Sequence, residues 1–227
     1  MSDKVLLSFP RSGNHLVRFF IELLSEQPTN GCIENKLDIP IFQNEFTEHI
    51  PFNIDSTQLD KYDTTHLYTK YHTPPPNNST LITDLIFIVR NPKEVLLRHC
   101  NNRLNVGGNY GFLPYFQSID YYTHFTGHKI CFFYEDIITD KIKFIEELYT
   151  FLNLNNERKK EYVINNINKL YELCKTGKKR DWGGVVSNDI DFYYKKIKDE
   201  HKIPFDNYLN EKMKTNNYNM LRDKYSF

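Results

Sequence analysis

The residues best suited to chemistry in this chain fall into four short groups, each placed at the end of an apolar run. Pro10-Arg11-Ser12-Gly13-Asn14 follows residues 5–9, Lys70 and His72 close the run 66–71, Arg90-Asn91-Pro92 follows 85–89, and Glu135-Asp136 follows 129–134. Arginine offers a permanent charge on a planar fork of donors, lysine a point charge, and histidine a nitrogen whose charge changes near neutral pH. Gathered on one rim, Arg11, Lys70, His72 and Arg90 suit a ligand carrying several negative groups.

The first group has the most local support. Leu16, Phe19, Phe20, Leu23 and Leu24 recur at helical spacing directly after it, so residues 10–14 form a strand-to-helix corner. The first N–H groups of such a helix point outward together, and the helix dipole adds partial positive charge, which favours phosphate or sulfate. Gly13 permits close approach of the backbone or a positive φ, and Ser12, Asn14 and His15 add side-chain donors. A corner with Pro and Gly also caps a helix with nothing bound. The spelling Gly, four residues, Gly-Lys-Ser/Thr does not occur, which weakens an ordinary ATP-binding reading.

Strands are expected at 5–9, 66–71, 85–89 and 129–134. Helices are expected at the first corner and near 92–104, 118–125, 141–152, 157–173 and 205–214. Strands alternating with helices predict an α/β domain with a central parallel sheet covered on both faces, whose ligands sit at the carboxyl ends of the strands. Asp84 precedes its strand on this reading, which leaves Glu135-Asp136 as the acidic pair able to hold magnesium; a capping and hydrogen-bonding role is the other reading of that pair. Residues 105–111, rich in glycine, read as a connection or a lid over the rim. Residues 175–182, Lys-Thr-Gly-Lys-Lys-Arg-Asp-Trp, read as a solvated basic turn.

At 227 residues the chain fits one domain, 1–227. Lys plus Arg and Asp plus Glu number 29 each, so no overall field draws it to nucleic acid or an acidic membrane. The four cysteines lie far apart and lack the spacing of a zinc site or redox dithiol, so no metal is expected and the thiols are read as reduced. No signal peptide and no membrane-spanning apolar run is visible, which predicts a soluble, cytoplasmic protein.

Taken together, several of these segments resemble sulfotransferases that use 3'-phosphoadenosine 5'-phosphosulfate (PAPS). SFPRSGNHLVR is similar to that family's 5'-phosphosulfate loop. FIVRNPKEVLLRH, residues 87–99, resembles its 3'-phosphate segment; TKYHTP, residues 69–74, its Lys-Thr-His-Leu-Pro; and FFYEDI, residues 132–137, its Phe-Tyr-Glu-Asp-Met. KTGKKRDW and PFDNYLNEKM are looser matches to its basic Gly-Asp-Trp loop and its last helix. The resemblance implies a P-loop-NTPase-like three-layer sandwich and in-line transfer of a sulfuryl group from PAPS to an acceptor hydroxyl or amine, leaving adenosine 3',5'-bisphosphate (PAP).

Carried over position by position, Arg11 would bind the 5'-phosphate and the bridging oxygen, with Ser12, Gly13, Asn14 and His15 around it. Lys70 would steady the sulfuryl oxygens, and His72 would take the acceptor's proton; its ordinary pKa of about 6.5 suits a base at neutral pH. Arg90 and the loop Lys175, Thr176 and Gly177 would meet the 3'-phosphate. Arg98 stands where the family has serine, Lys175 where it has arginine, and Leu16 where many members have a tryptophan against the adenine. Tyr134 would offer an aromatic contact. Asp181-Trp182 reads as structural. The segment between Arg90 and Tyr134 is short for the cytosolic members, which suggests an open cleft for a small-molecule, glycan or peptide acceptor, suited better to a sugar, glycan or peptide tyrosine than to a buried phenol; the aromatic Tyr110, Phe112, Tyr115 and Phe116 leave a phenol site as the alternative. Two alternatives stay open: a P-loop-like kinase of a small molecule, and a non-catalytic adenosine-nucleotide-binding protein on the same fold.

Overall fold

The computed structural model describes residues 3–27, 29, 67–76, 81–100, 112–176, 192–214 and 218–226. Strands β1 (Asp3–Ser8), β2 (Thr69–Tyr71), β3 (Ile82–Val89) and β4 (His128–Phe133) form one parallel sheet in the order β2-β1-β3-β4. Leu6 of β1 pairs with Lys70 on one side and Ile86 on the other. Val5, Leu6, Leu7 and residues 85–89 are all buried. Such unbroken apolar runs mark strands covered on both faces, and each fully buried side chain contributes about 1.5–3 kcal/mol.

The alternation of the strands sorts these residues into two cores. Leu6, Ile86, Ile88 and Phe132 pack with α1 (Asn14–Ser25), α5 (Lys141–Phe151), α6 (Glu157–Asn165) and α7 (Ile167–Thr176). Val5, Leu7, Phe9, Leu85, Phe87 and Val89 pack on the other face with α2 (Pro92–His99), α3 (Leu113–His124), α9 (Asp199–Met213) and α10 (Asn219–Tyr225). Two shorter helices, α4 (Tyr134–Thr139) and α8 (Phe192–Lys196), also lie among the described residues. The three-layer parallel architecture read from the sequence is therefore present. Among the described residues no helix is long and apolar enough to cross a membrane.

Several boundaries differ from the sequence reading for local reasons. The expected helix at 157–173 is two helices that part at Asn166, whose backbone leaves the helical region with φ −111° and ψ 13° and whose Nδ2 donates to the Tyr162 carbonyl at 2.9 Å. The last expected helix begins at Asp199 and accommodates Pro204 in its interior. Residues 101–111, including the glycine-rich stretch, lie outside the described residues, as do the start of the expected strand at 66, Cys32 and residues 177–182. Cys100, Cys131 and Cys174 are free thiols, and burial raises the pKa of Cys100 and Cys131.

Asp84 does not precede β3 but lies within it, because the strand starts three residues earlier than the expected run at 85–89. It sits at the amino-terminal edge of the sheet, accepts from Thr83 at 2.7 Å and from His128 at 2.9 Å, and lies 3.9 Å from Lys4. Burial acts to raise this carboxyl, but the Thr83 and His128 hydrogen bonds and the Lys4 and His128 charges outweigh it and hold the pKa below its ordinary value. A depressed carboxylate stabilises the fold above its unfolded-state pKa and loses that contribution as pH falls through the folded value. Asp84→Asn is therefore expected to cost under about 1 kcal/mol at neutral pH and progressively less on acidification, read as thermal midpoints of both proteins across pH. A deficit that is constant with pH would assign the role to packing.

Candidate functional site

The corner after β1 is built around two left-handed residues. Arg11 has φ 73° and Gly13 has φ 101°. The Ser12 N–H donates to the Phe9 carbonyl at 3.2 Å and closes the turn, while the Leu16 and Val17 N–H groups donate to the Gly13 carbonyl at 3.0 and 3.2 Å. Gly13 is the N-cap of α1, and no side chain caps that helix. The side chain that shapes the corner comes from far along the chain. A Cβ on Gly13 would lie 2.5 Å from Cδ2 of Tyr134, so only glycine lets this ring pack against the turn.

Tyr134 also carries the Arg90 guanidinium, 4.3 Å from its ring centroid, and hydrogen-bonds Tyr171 of α7. Arg90 is buried. Its Nη1 donates to the Arg11 carbonyl at 3.2 Å, its Nη2 lies 3.8 Å from Glu94, and its own carbonyl accepts the Tyr115 hydroxyl at 2.8 Å. Corner, tyrosine and arginine thus interlock. Arg98 stands two helical turns further along α2, and its guanidinium lies 5.7 Å from the Tyr193 ring. Burial, followed by the repulsion of Arg90, lowers the Arg98 pKa.

On the other side of β1, Lys70 is buried in β2, and His72 sits just beyond that strand with Nδ1 2.8 Å from the Ser8 carbonyl. A carbonyl oxygen only accepts, so in the neutral ring Nδ1 carries the proton and Nε2 keeps the lone pair. The backbone of β1 thereby sets the tautomer of the histidine at its own carboxyl end. A cleft of about 670 Å³ opens from the next residue: Thr73 and Pro74 face Gln117, Asp120, Tyr121 and His124, with Phe125 and Thr126 beyond. Those four α3 residues occupy one face of that helix.

Sequence comparison finds no relative: no family model and no curated protein matches. Solved structures do match. Mouse sulfotransferase SULT7A1 complexed with PAP aligns with a TM-score of 0.59 at 17% identity, covering 99% of this chain and 88% of its own. Retinol dehydratase in a complex with retinol and PAP aligns with a TM-score of 0.58 at 14% identity, covering 93% of this chain and 81% of its own. The fold is the sulfotransferase fold.

On that fold, Arg11, Ser12, Gly13, Asn14, His15, Lys70, His72, Arg90, Arg98 and Tyr134 all lie at the carboxyl ends of the strands or on the elements that follow them. Leu16 faces inward and is buried in the α1 core. Lys175 and Thr176 end α7, but their side chains, Gly177 and Asp181-Trp182 lie outside the described residues. Three of the proposed acceptor aromatics are corrected: Phe112, Tyr115 and Phe116 are buried in the α3 core, and their spacing with Ile119, at positions i, i+3, i+4 and i+7, is that of a core stripe. Tyr110 is outside the described residues.

Glu135 accepts from the Asn91 N–H at 3.0 Å and from the Tyr225 hydroxyl at 2.6 Å, while Asp136 pairs with Lys224. This is the hydrogen-bonding role read for the pair. The sequence reading missed His99, whose ring lies edge-on to Phe9 with centroids 4.9 Å apart; its position directly after Arg98 was the available signal.

Proposed function

We propose that this chain transfers a sulfuryl group from PAPS to an acceptor hydroxyl or amine. The observation that supports it is the convergence on the carboxyl end of β1: Arg90 bonds the Arg11 carbonyl on one side, and His72 bonds the Ser8 carbonyl on the other. The corner also fits an anion, because Ser12 Oγ and Arg90 Nε are shut off from solvent and have no protein hydrogen-bond partner among the described residues.

PAPS, when bound, supplies the sulfuryl group and leaves as PAP. The first-turn N–H groups of α1 and Arg11 hold the 5'-phosphate, and Arg11 stabilises charge on the leaving oxygen as a clamp, since arginine does not give up its proton. Arg90 and Arg98, with Lys175, Thr176 and Gly177, hold the 3'-phosphate. Lys70 orients the sulfuryl oxygens, and Nε2 of His72 accepts the acceptor's proton. The acceptor enters by the cleft that opens at Thr73. Its mixture of Gln117, Asp120, His124 and two threonines with Tyr121 and Phe125 suits a hydroxyl-rich or glycan acceptor better than a buried planar phenol.

A magnesium-dependent kinase would need a rim carboxylate for its metal. Glu135 and Asp136, the pair that the sequence offered for that role, are engaged with Asn91, Tyr225 and Lys224. Calorimetric titration with PAP, beside ADP and magnesium ATP, decides between these readings. Binding of PAP with little or no response to magnesium ATP is expected, and the reverse order would overturn the proposal.

A further inference from the structure

The cleft that opens at Thr73 differs in charge from the rim. The rim carries Arg11, Lys70, Arg90 and Arg98, whereas the described lining of the cleft holds no lysine or arginine and a single carboxylate, Asp120. Lys129, which approaches the end of α3 from β4, is occupied by the backbone there: its Nζ donates to the Tyr122 and Thr123 carbonyls at 2.8 and 3.2 Å.

Asp120 is engaged through one oxygen. Its Oδ2 accepts the Tyr218 hydroxyl at 3.2 Å, while Oδ1 is shut off from open solvent and has no hydrogen-bond partner among the described residues. A carboxylate oxygen enclosed without a donor is costly. The last torsion of an aspartate side chain is soft, so a small rotation presents Oδ1 to a donor in the cleft. One turn along α3, Nδ1 of His124 lies 2.8 Å from the Asp120 carbonyl, so in the neutral ring Nδ1 carries the proton and Nε2 keeps its lone pair. Residues at i and i+4 are neighbours on a helix face. Tyr121 and Phe125, the next such pair, stack with ring centroids 6.1 Å apart. Two acceptors beside aromatic rings, with no cation between them, suit a positively charged donor.

We propose that Asp120 is a specificity-determining residue that binds a protonated amine of the acceptor, and that the acceptor is an amino sugar or amino alcohol sulfated on a hydroxyl. The inference rests on the sulfuryl-transfer reading of the rim and names the acceptor class for its cleft. An ammonium has no lone pair and cannot attack sulfur, so the group held by Asp120 is not the one that reacts. The hydroxyl oxygen forms the new S–O bond as the bond to PAP breaks, PAP keeps that electron pair, and the hydroxyl proton passes to Nε2 of His72. Charge also orients the molecule. The ammonium is drawn to Asp120 and repelled by the cations of the rim, which turns the neutral hydroxyl end toward Thr73 and His72.

The test measures binding of glucosamine and of glucose to the whole chain by ligand-observed NMR, with and without PAP, near neutral pH, where the amine is mostly protonated. The two probes differ by an ammonium in place of one hydroxyl. Glucosamine is expected to bind about tenfold more tightly, the low end for a hydrogen bond to a charged group. Asp120→Asn keeps the shape of the side chain and an oxygen for the Tyr218 hydroxyl, and it is expected to bring the two affinities within about twofold of each other. Tyr218→Phe removes the bond to Oδ2 but not the charge, and it is expected to leave the preference in place. Equal binding of the two sugars, binding of neither, or a preference that survives Asp120→Asn overturns the inference. A preference lost equally in Tyr218→Phe also overturns it, because Asp120 would then act through the packing of Tyr218. A preference for glucosamine in a chain that does not bind PAP upholds the cationic subsite and removes the sulfuryl-transfer reading instead.

Discussion

Replacing His72 with alanine is expected to lower sulfuryl transfer by about 10²- to 10⁴-fold, the usual contribution of a positioned general base, while PAP affinity changes by less than about threefold. The expectation follows from the bond between Nδ1 and the Ser8 carbonyl at 2.8 Å, which commits one nitrogen and leaves Nε2 as the basic one. The same bond creates a rival explanation, because its loss could shift the end of β1 and with it the corner. His72→Asn separates the two. The asparagine Nδ2 can occupy the place of the histidine Nδ1 and donate to Ser8, but nothing replaces Nε2. Transfer to the acceptor found in a labelled-sulfate screen should stay low in both variants. Recovery in the asparagine protein to within about tenfold of wild type would make His72 a positioning residue, and substantial turnover in His72→Ala would remove it from the chemistry.

The parts of this site legible in the sequence were those with local causes. An apolar run buried on both faces states its own strand, and a glycine between a strand and an amphipathic helix states its own corner. The rim followed because a parallel sheet sends every strand's end the same way. What escaped were contacts between distant residues. Tyr134 read as the last residue of a strand, yet it begins α4 and places its ring against Gly13. Nothing near Tyr134 in sequence announces that partner.

The aromatic run at 112–116 misled for a related reason. Aromatic residues near a rim suggested a pocket, but their helical spacing with Ile119 already described a core stripe, and burial in the α3 layer decided it. His99 was passed over because its neighbour in space, Phe9, is far from it in the chain.

Gly13→Ala is expected to be strongly destabilising and to weaken the corner as a binding site. Two costs combine at the position. With φ at 101° the residue lies where an L side chain is strained by about 1–2 kcal/mol, and the new Cβ would lie 2.5 Å from the Tyr134 ring, so the ring must move. Forcing a packed side chain aside adds about 1–3 kcal/mol. The ring is not free to give way, since it carries the Arg90 guanidinium and hydrogen-bonds Tyr171. Displacing it therefore releases Arg90, which also holds the Arg11 carbonyl.

The expected result is a loss of about 2–5 kcal/mol of stability, read by denaturant unfolding, together with a fall in PAP affinity of tenfold or more. Tyr134→Leu distinguishes clash from backbone strain. If the ring is the obstacle, Gly13→Ala in a Tyr134→Leu background should cost at least about 1 kcal/mol less than it does alone, a coupling typical of residues in contact. Strictly additive costs would mean that the strained φ alone governs the position and that Tyr134 does not brace the cradle.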